Sequence, residues 1–172
     1  MKGWKDDKRW SDRYLVSIKR ILGEHLIGEP PVAEDQERNT DLIVLRMDAV
    51  RIACRIRKST YLGDYGHEFT IRCSRPSGIK TELSKIIEGW GDYFFYGFAD
   101  ESGDQLAAWV LSDLRVFRLW FMRELSRLDR GKFPGREKNN VDGSSAFRVF
   151  QWDDFPPEFI VATDGPRRRD AA

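Results

Sequence analysis

Apolar positions recur along the chain with two different periods, and the switches between them mark the elements. From Ser11, a residue type suited to capping a helix, Tyr14, Leu15, Ile18, Ile21, Leu22, His25 and Leu26 follow at helical spacing. That spacing predicts an amphipathic helix ending near Gly28. The next stretch, GEPPVAEDQERN, is an acidic loop in which Pro30 and Pro31 block helix continuation. Residues 41–47 (DLIVLRM) are a continuous apolar run. Residues 50–58 (VRIACRIRK) alternate, with Val50, Ile52, Cys54 and Ile56 on one face and Arg51, Arg55 and Arg57 on the other. The short Met47-Asp48-Ala49 link makes these two runs a candidate antiparallel hairpin. Residues 68–73 (EFTIRC) alternate again, so that Glu68, Thr70 and Arg72 share one face.

Helical spacing returns with Ile79, Leu83, Ile86, Ile87 and Trp90, capped by Ser77 and ended by Gly89. Residues 92–100 (DYFFYGFAD) are apolar on both faces and predict a fully buried strand. After the turn ESGDQ comes LAAWVL, and then a third helix with Ser112 as its cap. Its apolar face carries Leu114, Phe117, Trp120, Phe121, Leu125 and Leu128. Residues 129–145 have the composition of a loop, FRVFQW and EFIVA are two short late strands, and the tail from Gly165 is expected to fray. No internal repeat or linker divides the chain, so residues 1–172 are expected to form one domain. A strand at 68–73 that feeds a helix and then a buried strand predicts a right-handed parallel crossover. The expected class is therefore α+β: a central mixed sheet with an antiparallel three-stranded meander, a crossover helix and a parallel strand, flanked by helices.

Composition narrows the function classes. With 41% hydrophobic residues, 6 Trp, 11 Phe and 5 Tyr among 172, the chain has ample apolar surface to bury, which excludes wholesale disorder. No run is long enough to span a bilayer, and the opening MKGWKDDKRW lacks the apolar stretch of a signal peptide. A cytoplasmic protein without a membrane partner is expected. Cys54 and Cys73 lie in strand-like segments and are expected to be buried, reduced thiols. Two histidines exclude a multi-histidine zinc site. No GxSxG context surrounds any serine, which argues against triad hydrolysis. GWGDYFFYG follows a helix instead of opening one, so it is no phosphate cradle.

The net charge of +1 decides nothing, but its distribution does. Arg51, Arg55, Arg57, Lys58, Arg72, Arg75, Lys80 and Lys85 outnumber Asp64, Glu68 and Glu82 between residues 51 and 85. Before them, Glu29, Glu34, Asp35, Glu37, Asp41 and Asp48 outnumber Arg38 and Arg46. An acidic cluster beside a basic stripe could hold a metal next to a phosphate backbone; the plain alternative is a solvated surface of mixed charge. Tyr61 and Tyr65, beside the basic stripe, are candidates for stacking on bases. Trp90, Phe94, Phe95, Trp109, Trp120 and Phe121 are expected in the core.

The element order from residue 11 to about 100, with Thr40-Asp41 opening a strand and a helix then Asp92-Tyr93-Phe94-Phe95-Tyr96 following the third, resembles the PD-(D/E)XK nuclease superfamily. The runs TDLIVL, RIACRIR, EFTIR, KTELSKI and GWGDYFFYG are also similar to short proteins encoded in phages and prophages. That resemblance implies an Asp at one strand start and a Glu-x-Lys on the next, the two carboxylates holding Mg²⁺ and the lysine positioning the attacking water. No Glu-x-Lys or Asp-x-Lys follows Asp41 on a candidate strand. One alignment sets Arg55-Ile56-Arg57 at that position. The preferred one sets Glu68-Phe69-Thr70 there, with Arg72 a step further along the same face.

The resemblance then implies a phage-encoded, metal-dependent hydrolase of DNA or RNA. Asp41, Glu68, Thr70 and Arg72 form the candidate catalytic set, and Asp41 and Glu68 are the Mg²⁺ ligands. Asp35 and Glu37 would be further carboxylates. Arg55, Arg57, Lys58 and Lys80 would hold the phosphate backbone. The alternative is a non-catalytic accessory protein of the same fold that binds nucleic acid or a host protein. An arginine clamps phosphate but carries protons poorly, which favours that alternative.

Overall fold

The computed structural model describes residues 9–28, 43–44, 50–76 and 78–165, and at 25–28 and 43–44 the backbone alone. The element that organises it is β5 (Tyr93–Ala99), a strand apolar on both faces. A strand of that kind can satisfy both faces only in the middle of a sheet that is covered on each side. It lies between β3 (Ile52–Arg57) and β6 (Leu106–Asp113), and β9 (Ile160–Asp164) closes a four-stranded sheet in the order β3–β5–β6–β9. The β3–β5 pair is parallel, and the β5–β6 and β6–β9 pairs are antiparallel.

Period two then sorts the side chains. On one face Phe95, Ala99, Trp109 and Leu111 pack with Tyr14 and with Ile18 of helix α1 (Leu15–Leu26). On the other face Phe94, Tyr96, Phe98, Ala108 and Val110 join the main core. Gly97 fits closely at the join: a Cβ there would lie 2.9 Å from Ile56 Cδ1 and 3.1 Å from Leu106 Cδ2, so these side-chain ends would have to shift. Each fully buried large apolar side chain removes surface from water worth roughly 1.5–3 kcal/mol.

The main core is completed by a second, antiparallel sheet in the order β4–β8–β7: β4 (Glu68–Ser74), β7 (Arg136–Asn139) and β8 (Ala146–Gln151). Its Phe69, Ile71 and Phe150 meet Leu114, Phe117, Trp120 and Phe121 of helix α4 (Leu114–Arg127) and Leu83 and Ile86 of helix α3 (Glu82–Ile87). A single helical turn, α2 (Leu62–Tyr65), follows the 3₁₀ turn Ser59–Tyr61. A two-stranded ladder joins β1 (Ile27–Gly28) to β2 (Ile43–Val44).

The class is thus α+β with a mixed sheet, as expected, but the pairings inside it differ. The expected meander does not form: Ile43 and Val44 pair with Gly28 and Ile27, and β4 belongs to the second sheet. The parallel partner of β5 is β3, not β4, so the crossover carries β4 and α3 within it. Asp113, one residue beyond Ser112, caps α4 by accepting from the Arg115 N–H at 2.7 Å and the Val116 N–H. Thr81 caps α3 by accepting from the Ser84 N–H, and Ser77 lies outside the described residues. Because α3 ends at Ile87, Trp90 is carried past it between Gly89 (φ 97°) and Gly91 (φ 85°) and is 61% exposed, outside the core. Cys54 is exposed, while Cys73 is half-buried. The stretch 129–145 is not all loop, since it contains β7.

Candidate nucleic-acid interface

Residues opposite one another across an antiparallel pair share a face. In the second sheet the register sets Glu68 against Gln151, Thr70 against Val149 and Arg72 against Phe147. On the other side of β8, Val149 stands against Arg136 and Phe147 against Lys138. Glu68, Thr70, Arg72, Phe147, Val149, Gln151, Arg136 and Lys138 therefore occupy the face turned away from Phe69, Ile71 and Phe150.

The basic side of β3 and the turns after it lie against this face. Arg57 donates to the Tyr96 hydroxyl at 3.3 Å, and that hydroxyl lies 3.3 Å from the hydroxyl of buried Thr70. The Arg57 guanidinium also sits 4.0 Å above the ring of Tyr61. Arg55 pairs with Glu82 of α3, and the same Glu82 oxygen accepts from the backbone N–H of Arg72 at 3.1 Å. The guanidiniums of Arg55 and Arg72 lie 5.1 and 5.3 Å from the centre of the Phe147 ring. Lys138 stands 5.0 Å from the Tyr65 ring centre. Glu68, only 4% exposed, accepts from the Gln151 side-chain amide at 3.4 Å and pairs with Arg136 at 3.5 Å. Cations on aromatic rings, with two carboxylates among them, make a surface that is positive and offers π-faces.

Of the residues singled out from the sequence, Glu68, Thr70, Arg72, Arg55 and Arg57 are brought together here, with Tyr61 and Tyr65 at the rim. Lys58 is exposed at the end of β3, where it precedes the 3₁₀ turn. Lys80 instead pairs with Glu88 at 2.7 Å on the exposed side of α3. Asp41, Asp35 and Glu37 lie outside the described residues. Glu82 sits in the first turn of α3 and anchors Arg55 and the Arg72 backbone. Sequence reasoning missed Arg136, Lys138 and Phe147. The signal was there in REKN facing AFRV across NVDGSS, a turn-rich link between two short runs.

Mg²⁺ coordination needs several carboxylate oxygens. Glu68 supplies one carboxylate here, and among the described residues no group of three or more His, Cys, Asp or Glu side chains is placed to hold a metal ion. What this face presents is guanidinium and ammonium groups beside aromatic rings. Among the described residues no helix is long and apolar enough to cross a membrane. Set beside known proteins, the chain matches no family model, no curated protein and no solved structure.

Proposed function

We propose that the chain is a cytoplasmic nucleic-acid-binding protein that holds its ligand on the outer face of the three-stranded sheet. One observation carries this reading: Arg55, Arg57, Arg72, Arg136 and Lys138 converge with Tyr61, Tyr65 and Phe147, in excess over Glu68 and Glu82. Cations neutralise phosphates, and the rings accept bases, so a polyanion with aromatic bases is the ligand that uses both. Arg136 and Lys138 lie on a fully exposed strand, within reach of a backbone.

A second reading keeps the nuclease chemistry that the PD-(D/E)XK resemblance implies. Its support is Glu68, a buried carboxylate on this same face beside Thr70 and Arg72. In that reading Asp41 and Glu68 would hold Mg²⁺, which would supply charge neutralisation on the phosphodiester oxygens, and Arg72 would steady the phosphate. A phage setting fits either reading.

Incubation with labelled DNA and RNA, with and without Mg²⁺ or Mn²⁺, separates the two. Binding that weakens steeply with salt and with Arg136→Ala, without cleavage, is the expected result. Metal-dependent cleavage lost in both Asp41→Asn and Glu68→Gln would replace it with the hydrolytic reading. No salt-dependent affinity for either polymer would turn attention to a host protein as partner.

A further inference from the structure

Resting on the binding reading above, we infer that this face selects single-stranded nucleic acid, seating two successive unpaired bases on Tyr61 and Tyr65. The two tyrosines are four positions apart across consecutive helical turns, which brings them to the same side. Their ring centres are 6.0 Å apart and their planes are tilted by 47°. Bases in a duplex are parallel and rise about 3.4 Å per step, so two rings with this spacing and tilt cannot both lie on neighbours in one stack. Each ring can take one base only if the strand is free to splay. Single strands do this at little cost, and duplexes must first unpair.

Each ring also has its own cation. Arg57 lies over Tyr61 and Lys138 near Tyr65, so every seated base brings its phosphate to a positive charge. Tyr61 is 38% exposed and Tyr65 is half-buried, which holds the rings in place and leaves them surface to offer. The elements that build the platform are strand faces and one helical turn, none of them a rod that would fill a major groove. Ring faces and point charges read bases and phosphates but not the sugar, so DNA and RNA single strands are both ligands.

The test compares fluorescently labelled oligothymidylate, oligouridylate and a mixed-sequence duplex, each about 12 nucleotides long, by anisotropy at low salt. Both single strands should bind at least about tenfold more tightly than the duplex. Tyr61→Leu and Tyr65→Leu should each remove about tenfold of single-strand affinity and leave duplex affinity unchanged, while Tyr61→Phe, which keeps the ring, should retain it. Lys138→Ala should weaken all three ligands and reduce the salt dependence. Thermal unfolding of each variant shows that the fold is intact, and the Phe variant carries the test if a Leu variant does not fold. Equal affinity for duplex and single strands, or loss of binding in Tyr61→Phe, overturns the single-strand inference and leaves the binding reading standing. No measurable binding of any of the three overturns both.

Discussion

The two faces of the three-stranded sheet are made by alternate residues of the same strands, yet they are built on different physics. Inward, Phe69 stacks on Trp152 with ring centres 4.3 Å apart and touches Phe94, Tyr96, Phe117, Phe150, Phe155 and Phe159. Outward, one residue on, Thr70 meets a single hydroxyl, and its neighbours Glu68 and Arg72 are held by named polar partners. The inner face is stabilised by area removed from water, which tolerates no truncation; the outer face is stabilised by pairs that each contribute little net energy but fix geometry. Stability and the proposed binding should therefore be separable on one strand.

The strongest way to break this contrast is at adjacent positions. Phe69→Ala should cost about 3–5 kcal/mol, a large share of the stability of an ordinary domain. Thr70→Val, which removes only the hydroxyl contact to Tyr96, should cost about 1 kcal/mol. Denaturant melts of the two variants measure this, and comparable losses would show that the outer face is also core.

A smaller effect is expected at Gly135, which launches β7 with φ +78°. A Cβ there would lie 2.7 Å from the Phe150 ring and 2.9 Å from the Val149 carbonyl oxygen. Its own carbonyl accepts from Arg148 at 3.0 Å, which ties the turn to β8. Gly135→Ala should destabilise by about 1–3 kcal/mol and, because it displaces Arg136 and Lys138, should weaken nucleic-acid binding as well. Here the two faces are coupled, and full binding by this variant would show that β7 is not part of the interface.

Glu82→Gln should move the two properties in opposite directions. The carboxylate, about a quarter exposed, serves both Arg55 and the Arg72 N–H, so its loss should cost about 1 kcal/mol of stability. The same change removes a negative charge from the face proposed to take phosphates, so affinity at low salt should rise and the gain should vanish as salt is added. A parallel fall in both would mean that Glu82 positions the binding residues more than it opposes the ligand.

Which residues share a face was legible in the sequence, and which strands are neighbours was not. Alternation in VRIACRIRK and EFTIRC placed Arg55 and Arg57, and Glu68, Thr70 and Arg72, on common faces, and the structure has them so. Period two carries no information about partners, however. The run at 41–47 looked like the natural neighbour of β3 because the link is short, whereas β5, apolar on both faces, takes β3 beside it. β7 was missed for another reason: all four of its residues are exposed, so it has no hydrophobic pattern, and only the turn-rich link to β8, with which it pairs, marks it. Arg136 and Lys138 were lost to the candidate interface with it. Trp90 misled in the opposite sense, since its spacing was helical but its helix stops before it.

The weakest expected effect probes the inner face chemically, at Cys73 on the same strand. Cys73 lines an open groove of about 410 Å³ together with Leu83, Ile87, Phe121 and Leu125. Burial pushes its thiol above the ordinary value, the Glu137 carboxylate adds to this, and the Arg148 guanidinium works against it. A raised thiol pKa means that the folded chain holds the proton more tightly than the unfolded one. The corresponding stability is present below the unfolded thiol's pKa and is lost as pH rises through the folded value. At neutral pH the thiolate is therefore scarcer than in the denatured chain, and alkylation of Cys73, followed by peptide mass, should be slower in the native protein. The native rate should climb through alkaline pH until the thiol has ionised. Glu137→Gln removes one of the two influences that raise the pKa and should speed the neutral-pH reaction. Since Glu137 is half exposed and screened, the gain should be less than about tenfold. An unchanged rate in that variant would leave burial by the inner face as the sole cause, which is the sharper form of the contrast between the two sides of β4.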